Sequence, residues 1–219
     1  MKHYFVSSVA FLTHKSALKK FCVAGVLCVL TLATRAQILN GSFENGFTGW
    51  NTTPGDFIIG GPSEPVGTDG YYSGDLGGDD ITGAVLSQTI NNFAGGGMYQ
   101  LSYDSVCNAD GNLSLVAVWN VIILADSQQV ASQTISQQNV GQPTGSFGFV
   151  HRELTFTVAP SVQNITIEFA DATPNGGVGV DAAFDSVAVT PVPEPGSMAI
   201  TGLAVLAGLV MRRRIPTRK

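Results

Sequence analysis

The run Met98-Tyr99-Gln100-Leu101-Ser102-Tyr103-Asp104-Ser105-Val106 decides the fold class. Its side chains alternate, with Met98, Gln100, Ser102 and Asp104 on one parity and Tyr99, Leu101, Tyr103 and Ser105 on the other. A helix of the same composition would scatter these residues around its axis, whereas a strand sends successive side chains to opposite faces. The run therefore reads as a half-buried strand. Leu154, Phe156 and Val158 repeat the pattern, as do Ile165, Ile167 and Phe169.

Outward from that run, short stretches rich in Val, Ile, Phe, Tyr and Thr are separated by glycine and small polar residues, and no helix-length periodic segment interrupts them. Strands are expected over 56–59, 84–90, 98–106, 112–119, 121–125, 149–158, 162–170 and 182–190. Asn112 to Leu124 is apolar on both parities, which places it centrally, with a tight turn near Asn120. The spacing suits an all-β sandwich over residues 37–190, the length of one ordinary domain.

Charge separates this middle segment from the two ends. The 219-residue chain has a formal charge of −5, yet Arg152 is the only Lys or Arg between Gln37 and Thr190, against fifteen carboxylates, a formal −14. Nucleic-acid binding draws its affinity from cations on phosphates, so no nucleic-acid partner is expected, and acidic glycans are disfavoured likewise. Neutral ligands and oxygen-seeking divalent cations, calcium first, suit such a surface. Cys22 and Cys28 fall in the N-terminal apolar run, so Cys107 is left without a partner in the mature chain and reads as a small buried apolar residue.

The ends read as delivery signals. Residues 1–36 combine Lys15, Lys19 and Lys20, an apolar run from Phe21 to Ala33, and Thr34-Arg35-Ala36. That is the three-part plan of a signal peptide cleaved after Ala36. A lipoprotein signal fits less well, because Leu27 precedes Cys28 where a small residue is needed. In residues 191–219, Pro191-Val192-Pro193-Glu194-Pro195 is followed by an apolar stretch, 198–211, and by Arg212-Arg213-Arg214. The prolines keep the first part extended. The apolar part is slightly short for a transmembrane helix, and the arginines would stay cytoplasmic.

This tripartite end resembles the PEP-CTERM sorting signal of Gram-negative bacteria, carried here by Val192, Pro193, Glu194, Pro195, the apolar stretch and Arg212, Arg213 and Arg214. The resemblance implies an exosortase partner, transient anchoring in the inner membrane, and release to the cell surface or an exopolysaccharide (biofilm) matrix. A plain inner-membrane tail anchor is the competing reading.

Within the middle segment, Asn40-Gly41-Ser42-Phe43-Glu44 with Gly46-Phe47-Thr48-Gly49-Trp50 is similar to the first strand and following turn of galactose-binding-like and carbohydrate-binding jelly-roll modules. Leu86-Ser87-Gln88-Thr89-Ile90 with 97–103, and Ala183-Phe184-Asp185-Ser186-Val187-Ala188-Val189, are similar to their second hairpin and closing strand. The resemblance implies a jelly-roll β-sandwich with a structural calcium on Glu44 and Asp185, and Trp50 in the core. Ser186 departs from the acidic or amide residue common after that Asp. Asp69 and Asp79-Asp80, in glycine-rich loops, are further possible chelators.

Sugar binding needs aromatic faces for pyranose rings, and Tyr71, Tyr72 and Trp119 are the candidates. No catalytic constellation stands out: His151 is the only mature histidine, and no phosphate loop or nucleophile elbow occurs. The expectation is a non-catalytic, exported surface or matrix protein binding neutral polysaccharide. The alternatives are a hydrolase of envelope polysaccharide and a structural matrix component without a ligand.

Overall fold

The computed structural model describes residues 37–60, 66–77, 83–93, 95–109, 113–141, 148–174 and 180–193. The leader with Ala36, the loop aspartates Asp79 and Asp80, and Glu194, Pro195, the 198–211 stretch and Arg212 to Arg214 lie outside these residues.

Among the described residues nine strands form two antiparallel sheets. They are β1 (Phe57–Ile59), β2 (Ser73–Leu76), β3 (Val85–Asn91), β4 (Gly97–Ala109), β5 (Val116–Ala125), β6 (Gln128–Gln138), β7 (Val150–Val158), β8 (Asn164–Asp171) and β9 (Val180–Pro191). One sheet has the order β1-β2-β9-β4-β7 and the other β3-β8-β5-β6. The chain switches sheets repeatedly, as an all-β jelly-roll sandwich requires.

The alternation of β4 holds: Tyr99, Leu101 and Tyr103 are buried between the sheets while Gln100, Ser102 and Asp104 face outward, half-buried. Rings from both sheets meet at the centre. Phe169 of β8 stacks on Phe184 of β9 with centroids 4.3 Å apart, and Tyr103 of β4 meets Phe169 edge-on at 5.1 Å. Offset and edge contacts of this kind add to the burial itself. Cys107 is buried in the same core, and burial pushes its thiol up from the ordinary range.

Two expectations about strands are corrected. No turn occurs at Asn120: β5 runs unbroken to Ala125, and the Asn120 side chain accepts a hydrogen bond from Thr134 Oγ1 across the β5–β6 pair. The hairpin turn is Asp126-Ser127, both at positive φ (44° and 69°), between the paired residues Ala125 and Gln128. That is the two-residue geometry matching strand twist, here without the usual glycine. The Asp126 carboxylate compensates by accepting from the backbone N–H of Gln163 and Asn164.

The opening segment is also not a strand. Residues 39–49 are a succession of turns, with Asn40 and Phe43 at positive φ. Phe43 is fully buried, stacked on Trp50 at 5.2 Å, and the Trp50 indole N–H donates to the Asn40 carbonyl. Trp50 is a core residue, as expected. The turns then lead into a cover for the β3 edge. Asn51 bridges Ser87, Thr53 Oγ1 accepts from Val85 N–H, and the Gln88 amide exchanges two hydrogen bonds with the Leu39 backbone.

β9 reaches Pro191, which pairs with Tyr99, and Val192 N–H donates to the Met98 carbonyl at 2.8 Å. The first residues of the proline-rich tail are thus the end of an interior strand rather than free chain. Pro191 is tolerated there because β2 pairs only with Ala182 to Phe184 of β9, so its missing N–H faces no partner strand.

Candidate functional site

The candidate site is organised by the loop that precedes β2, residues 66–72. At its front, Asp185 accepts from Asp69 N–H at 2.7 Å and lies 3.2 Å from Thr68 Oγ1. At its back, Glu44 Oε1 accepts from the N–H groups of both Tyr71 and Tyr72, at 2.6 and 2.7 Å. The two acidic residues singled out in the sequence therefore grip one loop from opposite ends. Glycine is needed at both grips. Gly70 has φ +127° and a Cβ there would overlap the Glu44 carboxylate, while a Cβ on Gly67 would stand 2.8 Å from Asp185 Oδ2.

Asp185 reaches this loop because β9 carries a bulge. Between Ser102 and Asp104 of β4 the register with β9 slips by one residue, and Ser186 sits at φ 54°. The extra residue re-aims Asp185 to the outer face, directly across from Asp104. Asp185 is fully buried, and its Oδ1 has no hydrogen-bond partner. Desolvation raises its pKa, with the N–H donors of Asp69 and Ser186 and the Thr68 hydroxyl acting the other way.

The pairing of β4 with β7 and β9 adds residues that the sequence did not single out. Asp104 Oδ1 meets His151 Nδ1 at 2.8 Å, its Oδ2 accepts from the Thr68 hydroxyl, and Thr68 Oγ1 is also 2.9 Å from Ser186 Oγ. His151 Nε2 lies 3.6 Å from Glu153. One hydroxyl hydrogen on Thr68 faces two carboxylates, so this patch holds more acceptors than donors. Only the register β7-β4-β9 brings these residues together, and no linear motif signals it.

The hydrogen bond to Asp104 is the main cause raising the His151 pKa, with Glu153 contributing. The imidazolium form favours the folded state, so this stabilisation is present below the ordinary imidazole value of 6.5 and is lost as pH rises from there through the raised one. The His151 side chain is 59% exposed, which limits the effect to about 1 kcal/mol or less. Thermal melts of wild type and His151→Gln across that range are expected to converge above it. Equal separation of the two curves at every pH would contradict this.

Tyr71 and Tyr72 are 47% and 39% exposed and meet edge-on at 5.1 Å. Glu44 fixes their backbone, and Gly60 leaves room for both rings, since a Cβ there would approach the Tyr72 ring to 2.8 Å. Trp119 is different. It is completely buried, edge-on to Phe184 at 5.5 Å, so its ring offers nothing to a sugar and its place among the glycan candidates is corrected. Arg152 lies over it at 5.4 Å and donates to Ser105 Oγ and Gln137 Oε1. Arg152 points inward because residues paired with core-facing Tyr103 share its parity. Among the described residues no three or more His, Cys, Asp or Glu side chains converge as a metal cluster, and Asp69 contributes its N–H to Asp185.

Residues 191–214 match the PEP-CTERM protein-sorting motif. The chain carries that sorting signal. No curated protein matches the chain in sequence. Among solved structures, TmCBM61 in complex with β-1,4-galactotriose superposes with a TM-score of 0.50 at 15% identity, covering 73% of this chain and 100% of that one. A C-terminal family 22 carbohydrate-binding module of Clostridium thermocellum xylanase 10B gives 0.49 at 13%, covering 74% and 98%. The family 22 and glycoside hydrolase modules of the N-terminal part of the same enzyme, complexed with xylohexaose, give 0.49 at 14%, covering 72% and 29%. The PEP-CTERM motif thus follows a two-sheet β-sandwich whose fold is similar to that of TmCBM61.

Proposed function

We propose that this is an exported, exosortase-processed surface or matrix protein whose sandwich binds neutral polysaccharide without cleaving it. The observation that carries the glycan reading is the Tyr71–Tyr72 pair, two solvent-facing rings held in place by Glu44 on a loop that Asp185 fixes at its other end. Rings restrained before binding lose little freedom on contact with a pyranose face. The −14 charge of the segment favours an uncharged ligand.

A non-catalytic role is supported by the character of the paired carboxylates. Asp185 is sealed from solvent and Asp104 is committed to His151 and Thr68, so neither is poised to protonate or attack a glycosidic bond.

Calcium belongs to the same proposal. Asp185 Oδ1 is buried with no hydrogen bond, a condition that a hard cation relieves. The hydroxyls of Thr68 and Ser186 and backbone carbonyls of the 66–72 loop would complete an oxygen set around Asp185. Glu44 Oε1 is already committed to two N–H groups and supports the loop.

Native electrophoresis through gels containing neutral polysaccharide tests the glycan reading. Wild type is expected to be retarded, and Tyr71→Ala and Tyr72→Ala are each expected to weaken binding about tenfold, roughly 1.4 kcal/mol. Retardation unchanged by both substitutions would end the assignment to this pair.

A further inference from the structure

The two sheets have four edge strands, β1, β7, β3 and β6. An uncovered edge presents a row of unpaired N–H and C=O groups, which proteins blunt by shortness, charge or a covering segment. β1 has three residues, β7 carries His151, Arg152 and Glu153, and β3 is covered by residues 39–53.

Among the described residues β6 has none of these protections. It is eleven residues long, Gln-Gln-Val-Ala-Ser-Gln-Thr-Ile-Ser-Gln-Gln, and contains neither proline nor charge. The charge-free stretch is longer still, extending from Ser127 to Val150 in a domain of formal −14. Gln128 to Thr134 are exposed on both faces except for half-buried Ala131. The strand pairs only with β5 among the described residues, and its one irregularity is confined to Val130.

We propose that β6 is a docking edge for β6 of a second copy of this chain, the two pairing antiparallel about a two-fold axis near Ser132. Such a pair joins two four-stranded sheets into one of eight. The partner follows from charge and side-chain chemistry. Elsewhere two such anionic domains repel, and at β6 they do not. A strand of Gln, Ser and Thr is complementary to its own antiparallel copy, amide to hydroxyl across the new pair. A charged partner finds no counterion there.

The test uses the 219-residue chain in detergent. Sedimentation equilibrium is expected to show a concentration-dependent dimer that is lost in both Ser132→Lys and Ser132→Glu, since like charges meet at the axis whichever sign is introduced. Thr157→Lys, on the exposed face of the β7 edge, is expected to leave the dimer intact. Ser132→Cys is further expected to form an intermolecular disulfide that Thr157→Cys does not. A wild-type monomer at every concentration would overturn the proposal. So would an oligomer indifferent to charge at Ser132, which would place association in the tail or on another edge.

Discussion

Trp119→Ala is expected to destabilise the sandwich by about 3–5 kcal/mol. The indole is fully buried between the sheets, packed edge-on against Phe184 and roofed by Arg152. Removing it opens a cavity that the neighbouring rings cannot close, because Phe184 is already fixed against Phe169. Large-to-small substitutions of this kind cost about 3–5 kcal/mol, a large part of the roughly 5–15 kcal/mol that holds a typical domain together. The guanidinium of Arg152 would also lose its aromatic partner while keeping Ser105 and Gln137. A drop in melting temperature of about 10 °C or more is expected by calorimetry. A variant melting within a few degrees of wild type would mean that the ring is not a core element.

Asp185→Asn is expected to act in opposite directions with and without calcium. In the metal-free protein the carboxylate is buried, and its raised pKa means that the folded state resists ionising it. The folded state therefore loses stability as pH rises from about 4 through the shifted carboxylate range, and regains it on acidification. Asparagine removes that cost, so in chelator the variant should melt at or above wild type near pH 7. Calcium that binds only the folded protein adds stability according to its excess over the dissociation constant, about 2.7 kcal/mol at a hundredfold excess. Wild type should show that rise and Asp185→Asn should not. Equal shifts in both proteins would place any calcium elsewhere, and no shift in wild type would remove calcium from the account.

The parts of the fold legible in the sequence were those with a strong period. β4, β7 and β8 alternate apolar and polar residues because each has one face in the core. β6 escaped because its core-facing positions include Gln137 as well as Ile135, so no apolar rhythm marks it. Its turn, Asp126-Ser127, lacks glycine and depends on contacts with Gln163 and Asn164 nearly forty residues away. β2 was missed because Ser73-Gly74-Asp75-Leu76 is polar in composition, although all four residues are buried.

The same division holds at the site. Glu44, Asp185, Tyr71 and Tyr72 lie in short segments with recognisable surroundings, and they meet at one loop. Thr68, Asp104 and His151 join them only through the register of β7, β4 and β9 and a one-residue bulge, neither of which a linear pattern records. Trp119 failed as a sugar platform for a related reason. Its place at an assumed strand end suggested exposure, whereas an unbroken β5 buries it.

All of this depends first on delivery of the sandwich to the outside of the cell by its sorting signal. Mass spectrometry of the protein recovered from its native source measures that directly. The expected mature chain begins at Gln37, retains β9 with Val192 bonded to Met98, and lacks the 198–211 stretch and Arg212 to Arg214. A cytosolic protein that keeps Met1 and the three arginines would contradict the account.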